Sequence, residues 1–154
     1  MALTEEQKAQ FWEEGFLRYG RVLTDEEVAA LKQRSEEIAT GKAPHVPERW
    51  IQVEPAIQKG EKTADSRLNS IRKMTHLSYF DDLFHAAAMN PRVVDVIEDL
   101  LGPDLKLYTD QLMMKPPMVG SQLTWHQDSA AWMFFVPHNH ISCWIALDDS
   151  TLRA

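Results

Sequence analysis

The chain has 154 residues, of which 44% are hydrophobic and 25% charged, a composition typical of one soluble globular domain. Its formal net charge of −7 argues against a phosphate-backbone partner, so we expect no nucleic-acid binding. No apolar run reaches the ~18 residues of a membrane span, the start lacks a signal-peptide pattern, and the one cysteine fits a reducing compartment, so we expect a cytoplasmic protein.

Helix signals come first along the chain. Thr4 and Thr24 are N-cap residues for two helices, and Asn90 precedes a proline at the first position of another. Gly102, followed by a proline, stops that last helix. The predicted helices cover residues 4–18, 24–41, 80–89 and 91–101.

Strand signals are concentrated later. The predicted strands lie at residues 16–19, 50–53, 70–74, 105–114, 123–128 and 141–147, and a long loop over residues 41–67 surrounds the second of them. Because helices precede a strand-rich part, we predict an α+β domain with helices packed on a β-sandwich. Only about four strands of the sandwich are present, so a sheet edge should lie open to water or to another chain.

His126 and Asp128 are separated by one residue in the run Trp125-His126-Gln127-Asp128. On a strand such residues point to the same face, since side chains alternate. A His and a carboxylate on one face supply two of the three protein ligands of the facial triad that holds Fe(II) in oxygenases. By itself the pattern is weak, because this spacing also occurs by chance as a solvated histidine and a loop aspartate.

Several short motifs occur in one order along the chain. They are Phe11-x-x-x-Gly15-Phe16, Leu23-Thr24-x-Glu26-Glu27-Val28, Gly102-Pro103-Asp104, Lys115-Pro116-Pro117, His126-Gln127-Asp128 and Ser142-Cys143-Trp144-Ile145-Ala146-Leu147. In this order and spacing the chain resembles the phytanoyl-CoA dioxygenase family over nearly its whole length. The resemblance implies a double-stranded β-helix (jelly-roll) core and an enzyme that uses Fe(II), 2-oxoglutarate and O₂. It implies hydroxylation of a small-molecule or acyl-CoA substrate, with release of succinate and CO₂.

The resemblance also assigns roles to individual residues. His126 and Asp128 match the first two iron ligands, and the presence of Asp128 favours hydroxylation over halogenation. The residues that match co-substrate contacts are Lys73, Gln111, Gln127 (through its backbone) and Trp144. Without the family spacing, Lys73 would be an ordinary surface lysine and Trp144 an ordinary core residue of a strand.

The C-terminal end departs from the family pattern. The family needs a second His and, roughly ten residues later, an Arg that pairs with 2-oxoglutarate. Arg153 is on the wrong strand for this role, and His138 and His140 could reach a metal only if their loop refolded. We therefore expect a single domain over residues 1–154 that is truncated at its C-terminus, holds only the first strands of the jelly roll, and is inactive alone.

Two other functions stay open. The chain could be a non-catalytic ligand-binding remnant, or it could complete its sheet by pairing a strand with another chain. The sequence leaves the substrate and the oligomeric state open. Acyl thioesters, amino-acid derivatives and secondary metabolites all fit, although Arg67, Arg72 and Lys73 are few cations for a CoA-binding patch.

Overall fold

The structure, a computed structural model, describes residues 2–134, 136–137 and 139–149. In this part of the chain it contains six α-helices and three short β-strands. The helices are α1 (Glu5–Glu14), α2 (Asp25–Ala39), α3 (Pro55–Gln58), α4 (Leu77–Phe80), α5 (Asp82–Ala88) and α6 (Pro91–Leu101). The strands are β1 (Ile51–Val53), β2 (Ile71–Thr75) and β3 (Gln111–Met113), and short 3-10 turns cover Glu48–Trp50, Leu68–Ser70 and Asp128–Ala131. The α+β prediction is confirmed as a mixture of helices with a small antiparallel sheet.

The described residues form two compact units. The first combines residues 2–24 and 89–106 with those described within 125–149, and the second combines residues 25–88 and 107–124. Among the described helices, none has the length and apolar character needed to cross a membrane.

The helices of the first unit, α1 and α6, begin at the residues that the sequence predicts. Thr4 Oγ1 accepts from the Gln7 N–H at 3.2 Å while the Thr4 N–H donates to Gln7 Oε1 at 2.9 Å, which is a capping box. α1 ends at Gly15, the residue that marks its end in the sequence, and the φ of Gly15 is left-handed at +78°, so the helix does not continue to residue 18. Asn90 Oδ1 accepts from the Arg92 N–H at 3.0 Å and caps α6.

The sheet of the second unit has the order β1-β2-β3, with both pairs antiparallel. Ile51 lies opposite Met74, and Lys73 lies opposite Met113. One face of the sheet belongs to the hydrophobic core, whose buried members are Ile38, Ala39, Ala43, Val46, Ile51, Ile71, Met74 and Leu77. Met74 and its partner Leu112 contact this core, and because neighbouring side chains on a strand point to opposite faces, Lys73 and Gln111 lie on the other face, where Gln111 is exposed.

Four of the predicted strand segments are wrong. Residues 16–19, 105–107, 123–127 and 141–147 are irregular, and Asp128 begins a 3-10 turn instead of ending a strand. A strand is stabilised by a hydrogen-bonded neighbour, and within the described residues the sheet extends only from β1 to β3. Several large apolar side chains of these segments are correspondingly exposed, Trp125 completely and Trp144 at 77%.

The predicted helix over residues 80–89 corresponds to α5, which begins at Asp82, and a separate short helix that was not predicted, α4, ends at Phe80. The backbone of Asp81 is extended (φ −128°, ψ 124°), which ends α4, and its carboxylate accepts from the amides of Leu83 and Phe84 at the start of α5. The loop predicted over residues 41–67 is also more ordered than expected, because it contains a 3-10 turn and α3 in addition to β1.

Candidate metal centre

His126 and Asp128 lie side by side, although they are not on a strand. His126 Nε2 lies 3.4 Å from Asp128 Oδ1, and the two side chains are 46% and 47% exposed. Gln127 between them is extended (φ −104°, ψ 132°), and its carbonyl accepts from the Ala130 N–H at 3.0 Å. The extended Gln127 and the 3-10 turn that begins at Asp128 therefore bring together the two side chains that the sequence predicted on one face of a strand.

The geometry of this pair fits a divalent metal ion. Nitrogen and oxygen donors that lie ~2.1 Å from one metal and at right angles are about 3 Å apart, close to the observed 3.4 Å. An imidazole nitrogen and a carboxylate oxygen are also the ligand types of the facial triad.

Ser142 contacts the other oxygen of Asp128. Its Oγ donates to Asp128 Oδ2 at 2.7 Å, within the range of a hydroxyl that binds a carboxylate. The sequence patterns predict no role for Ser142 of its own. Its position two residues before Trp144 carries no signal for this contact, which depends on a fold-back of the chain that local sequence patterns do not encode.

Within residues 2–134, 136–137 and 139–149, no group of three or more His, Cys, Asp and Glu side chains could hold a metal ion. The ring of His140 packs edge-on against Trp132, with ring centroids 5.4 Å apart. His138 and Arg153 lie outside the described residues. Within the described residues, the predicted ligands that lie together are His126 and Asp128, and their role as metal ligands stays a prediction.

Lys73 and Gln111 are brought together on the sheet of the second unit. Lys73 Nζ donates to Gln111 Oε1 at 3.2 Å. Lys73 is paired with Met113, and Gln111 stands two residues before it on β3, so the two polar side chains are diagonal neighbours on one face. An ammonium has three N–H donors, so the bond to Gln111 leaves capacity for an anionic ligand.

Gln127 and Trp144 are both exposed side chains of the first unit. Trp144 is not a core residue, which corrects the alternative interpretation of this position, and neighbouring Cys143 is exposed as well. The co-substrate roles of Gln127 and Trp144, like those of Lys73 and Gln111, stay predictions.

Known proteins share both the sequence pattern and the fold of this chain. The family model of phytanoyl-CoA dioxygenase (PhyH) matches residues 11–154. The ectoine dioxygenase of Bordetella parapertussis is 24% identical, with 85% of this chain and 39% of the relative covered. The L-proline trans-4-hydroxylase of Streptomyces griseoviridis is 26% identical, with 81% and 41% covered. A protein of Stutzerimonas stutzeri named "Probable alpha-ketoglutarate-dependent hypophosphite dioxygenase" is 22% identical, with 95% and 48% covered.

The chain spans less than half the length of these curated relatives. Among solved structures, the crystal structure of EctD from S. alaskensis with bound Fe aligns with a TM-score of 0.70 at 23% identity, covering 86% of this chain and 43% of that one. The predicted cofactors, Fe(II), 2-oxoglutarate and O₂, are confirmed for these relatives, which include dioxygenases, an alpha-ketoglutarate-dependent protein and an iron-bound structure. Because the family match extends over residues 11–154, the chain belongs to the phytanoyl-CoA dioxygenase (PhyH) family.

Proposed function

We propose that this chain is the iron-binding part of an Fe(II)- and 2-oxoglutarate-dependent dioxygenase that hydroxylates a small molecule. The observation that carries the proposal is the 3.4 Å approach of His126 Nε2 to Asp128 Oδ1 within a chain of this family. The names of the relatives support the reaction type, since they describe dioxygenases and a hydroxylase. Iron, when bound with 2-oxoglutarate and O₂, would supply the oxidising chemistry that inserts oxygen into a C–H bond and yields succinate and CO₂.

In this proposal His126 and Asp128 hold the metal on one side and leave its other positions to the co-substrates. The third protein ligand, a second His, and the Arg that pairs with 2-oxoglutarate come from chain outside residues 1–154. The incomplete coverage of the relatives supports this division, because more than half of each relative's length lies outside the match. The jelly-roll core is proposed to be completed by the same additional strands, and residues 1–154 alone are proposed to be inactive.

Lys73 is proposed to bind a carboxylate of 2-oxoglutarate. Its hydrogen bond to Gln111 restricts a flexible side chain to one direction, which reduces the entropy lost when an anion binds. Gln127 is proposed to contact the co-substrate through its backbone, and the exposed indole of Trp144 to form a wall of the pocket.

The charged side chains of the second unit favour a small molecule over an acyl-CoA substrate. Arg67 Nη2 donates to Glu48 Oε2 at 2.7 Å, and Arg72 Nη1 lies 3.9 Å from the buried carboxylate of Glu54. Carboxylates beside both arginines lower the local positive potential that would attract the phosphates of CoA. Direct titration with a CoA thioester should therefore show no saturable binding; binding that salt weakens would support an acyl-CoA substrate instead.

The proposed function is tested by anaerobic titration of the chain with Fe(II) in the presence of 2-oxoglutarate, followed by visible charge-transfer absorption. The wild-type chain should bind both, and His126→Ala and Asp128→Ala should weaken Fe(II) binding by more than about tenfold, since even supporting residues of metal sites are worth that much. His85→Ala and Asp104→Ala are matched controls, because both residues are exposed and lie outside the pair. If His126→Ala binds Fe(II) and 2-oxoglutarate as the wild type does, the non-catalytic ligand-binding remnant becomes the better account.

A further inference from the structure

We propose that Ser142 is the positioning residue of Asp128, and that it determines which carboxylate oxygen faces the metal. This inference rests on the proposed function, because it assumes that His126 and Asp128 hold a metal ion. It goes beyond that function in assigning a separate role to a residue outside the His-x-Asp motif.

The two oxygens of Asp128 have different partners. Oδ2 accepts a hydrogen bond from Ser142 Oγ at 2.7 Å, whereas Oδ1 lies 3.4 Å from His126 Nε2. An ionised carboxylate only accepts hydrogen bonds, so the Ser142 hydroxyl must be the donor. The side chain of Asp128 is therefore held with one defined oxygen directed toward His126.

This arrangement has a consequence for coordination. A carboxylate can bind a metal through one oxygen or through both, and a hydrogen bond to Oδ2 favours binding through Oδ1 alone. Binding through a single oxygen uses fewer metal positions, which keeps positions available for 2-oxoglutarate and O₂. Ser142 would thus preserve the open side of the site without touching the metal.

The contact joins two segments of the first unit that are 14 residues apart in the chain. Ser142 is 14 residues from Asp128 and lies in an irregular segment, not in a strand that could align it through backbone pairing. The segment after the 3-10 turn is thus joined to the metal ligand through this side-chain bond.

The test is Co(II) binding to the metal-free chain, measured by calorimetry and by the visible ligand-field spectrum of Co(II). Ser142→Ala should lower Co(II) affinity about 10- to 100-fold, as is typical for residues that orient a metal ligand, and should change the spectrum. Ser142→Thr keeps the hydroxyl and should restore both. Ser129→Ala is the matched control, because Ser129 directly follows Asp128 but no hydrogen bond joins it to that carboxylate in the described structure.

Each outcome separates this inference from the proposed function. If His126→Ala weakens Co(II) binding but Ser142→Ala leaves affinity and spectrum unchanged, the role of Ser142 is refuted and the metal site stands. If the wild-type chain binds no Co(II), or binds it equally well with His126→Ala, both proposals are refuted. Since Ser142 and Asp128 are exposed, Ser142→Ala should have the same urea midpoint as the wild type. If Ser142→Ala is less stable, Ser142→Thr is used instead: wild-type Co(II) affinity in Ser142→Thr supports the role of the hydroxyl, and reduced affinity refutes it.

Discussion

We expect the substitution Asp81→Ala to destabilise the second unit, because its carboxylate is the buried acceptor for four hydrogen bonds. The side chain of Asp81 is only 2% exposed. Oδ2 accepts from Arg34 Nη1 at 3.1 Å and from His45 Nε2 at 2.8 Å, while Oδ1 accepts from the N–H groups of Leu83 at 3.0 Å and Phe84 at 3.3 Å. Removing the carboxylate leaves all four donors without this acceptor.

The magnitude follows from these contacts. Loss of the cap on the first turn of α5 costs about 1 kcal/mol. The bonds to Arg34 and His45 would be worth more in a fully buried pair, but both partners are more than one-third exposed, so together they contribute about 1–3 kcal/mol. Asp81→Ala should therefore lower the free energy of unfolding by about 2–4 kcal/mol, and Asp81→Asn by about half as much, because the amide oxygen can still cap the helix.

Urea denaturation followed by circular dichroism measures this loss directly. Asp82→Ala is the matched control, since Asp82 is an exposed acid in the same first turn and its removal should cost at most about 1 kcal/mol. An Asp81→Ala variant within about 0.5 kcal/mol of the wild type would show that surrounding water replaces the carboxylate, and the argument from buried contacts would be refuted.

The same residue predicts a pH dependence. Burial by itself would raise the pKa of Asp81, but the hydrogen bond from His45, the amides of Phe84 and Leu83 and the charge of Arg34 together hold it below the ordinary value of 3.8. The ionised carboxylate therefore adds stability above about pH 4, and this stability is lost as the pH falls further through the lowered pKa. The difference in unfolding free energy between wild type and Asp81→Asn should shrink below about pH 4; an unchanged difference would contradict the assignment.

Three further substitutions test other parts of the account. Met74→Ala should lower the unfolding free energy by about 2–5 kcal/mol in urea, because the side chain is 0% exposed, whereas Met118→Ala, at 92% exposure, should change it by less than about 0.5 kcal/mol. Asp99→Ala should speed hydrogen exchange at the Leu3 amide, which donates to Asp99 Oδ2 at 2.8 Å. An unchanged exchange rate would show that this hydrogen bond does not protect the amide. Lys73→Ala should weaken 2-oxoglutarate binding about tenfold or more in calorimetry, whereas the control Lys62→Ala should not. Wild-type affinity in Lys73→Ala would contradict the role of this lysine.

The helix ends were predictable because their signals are local. Thr4 with Gln7, and Asn90 before a proline, bring cap and helix together within one turn of chain, so sequence patterns identify them directly. The break between α4 and α5 at Asp81 was missed. The carboxylate of Asp81 caps α5 locally, but it is also held by Arg34 and His45, which come from far earlier in the chain.

The later strands could not be predicted from alternation alone. The segment at 123–128 has strand-like residues, but a strand forms only when it pairs with another strand. That partner comes from residues far away in the sequence, so local patterns do not reveal it. The approach of His126 to Asp128 was anticipated, although for a strand. Gln127 between them is extended, and Asp128 then begins a 3-10 turn that keeps the two side chains close together. The hydrogen bond from Ser142 required the folded chain, since neither its spacing nor its residue type distinguishes it from other serines.

The most direct test of the metal site is X-ray absorption spectroscopy of the chain loaded with Fe(II) and 2-oxoglutarate without O₂. The account predicts oxygen and nitrogen ligands and the outer-shell scattering of one imidazole, which should disappear in His126→Ala and persist in His85→Ala. Iron bound without imidazole scattering, or imidazole scattering that survives His126→Ala, would contradict the assignment of His126 and Asp128 as the metal-binding pair.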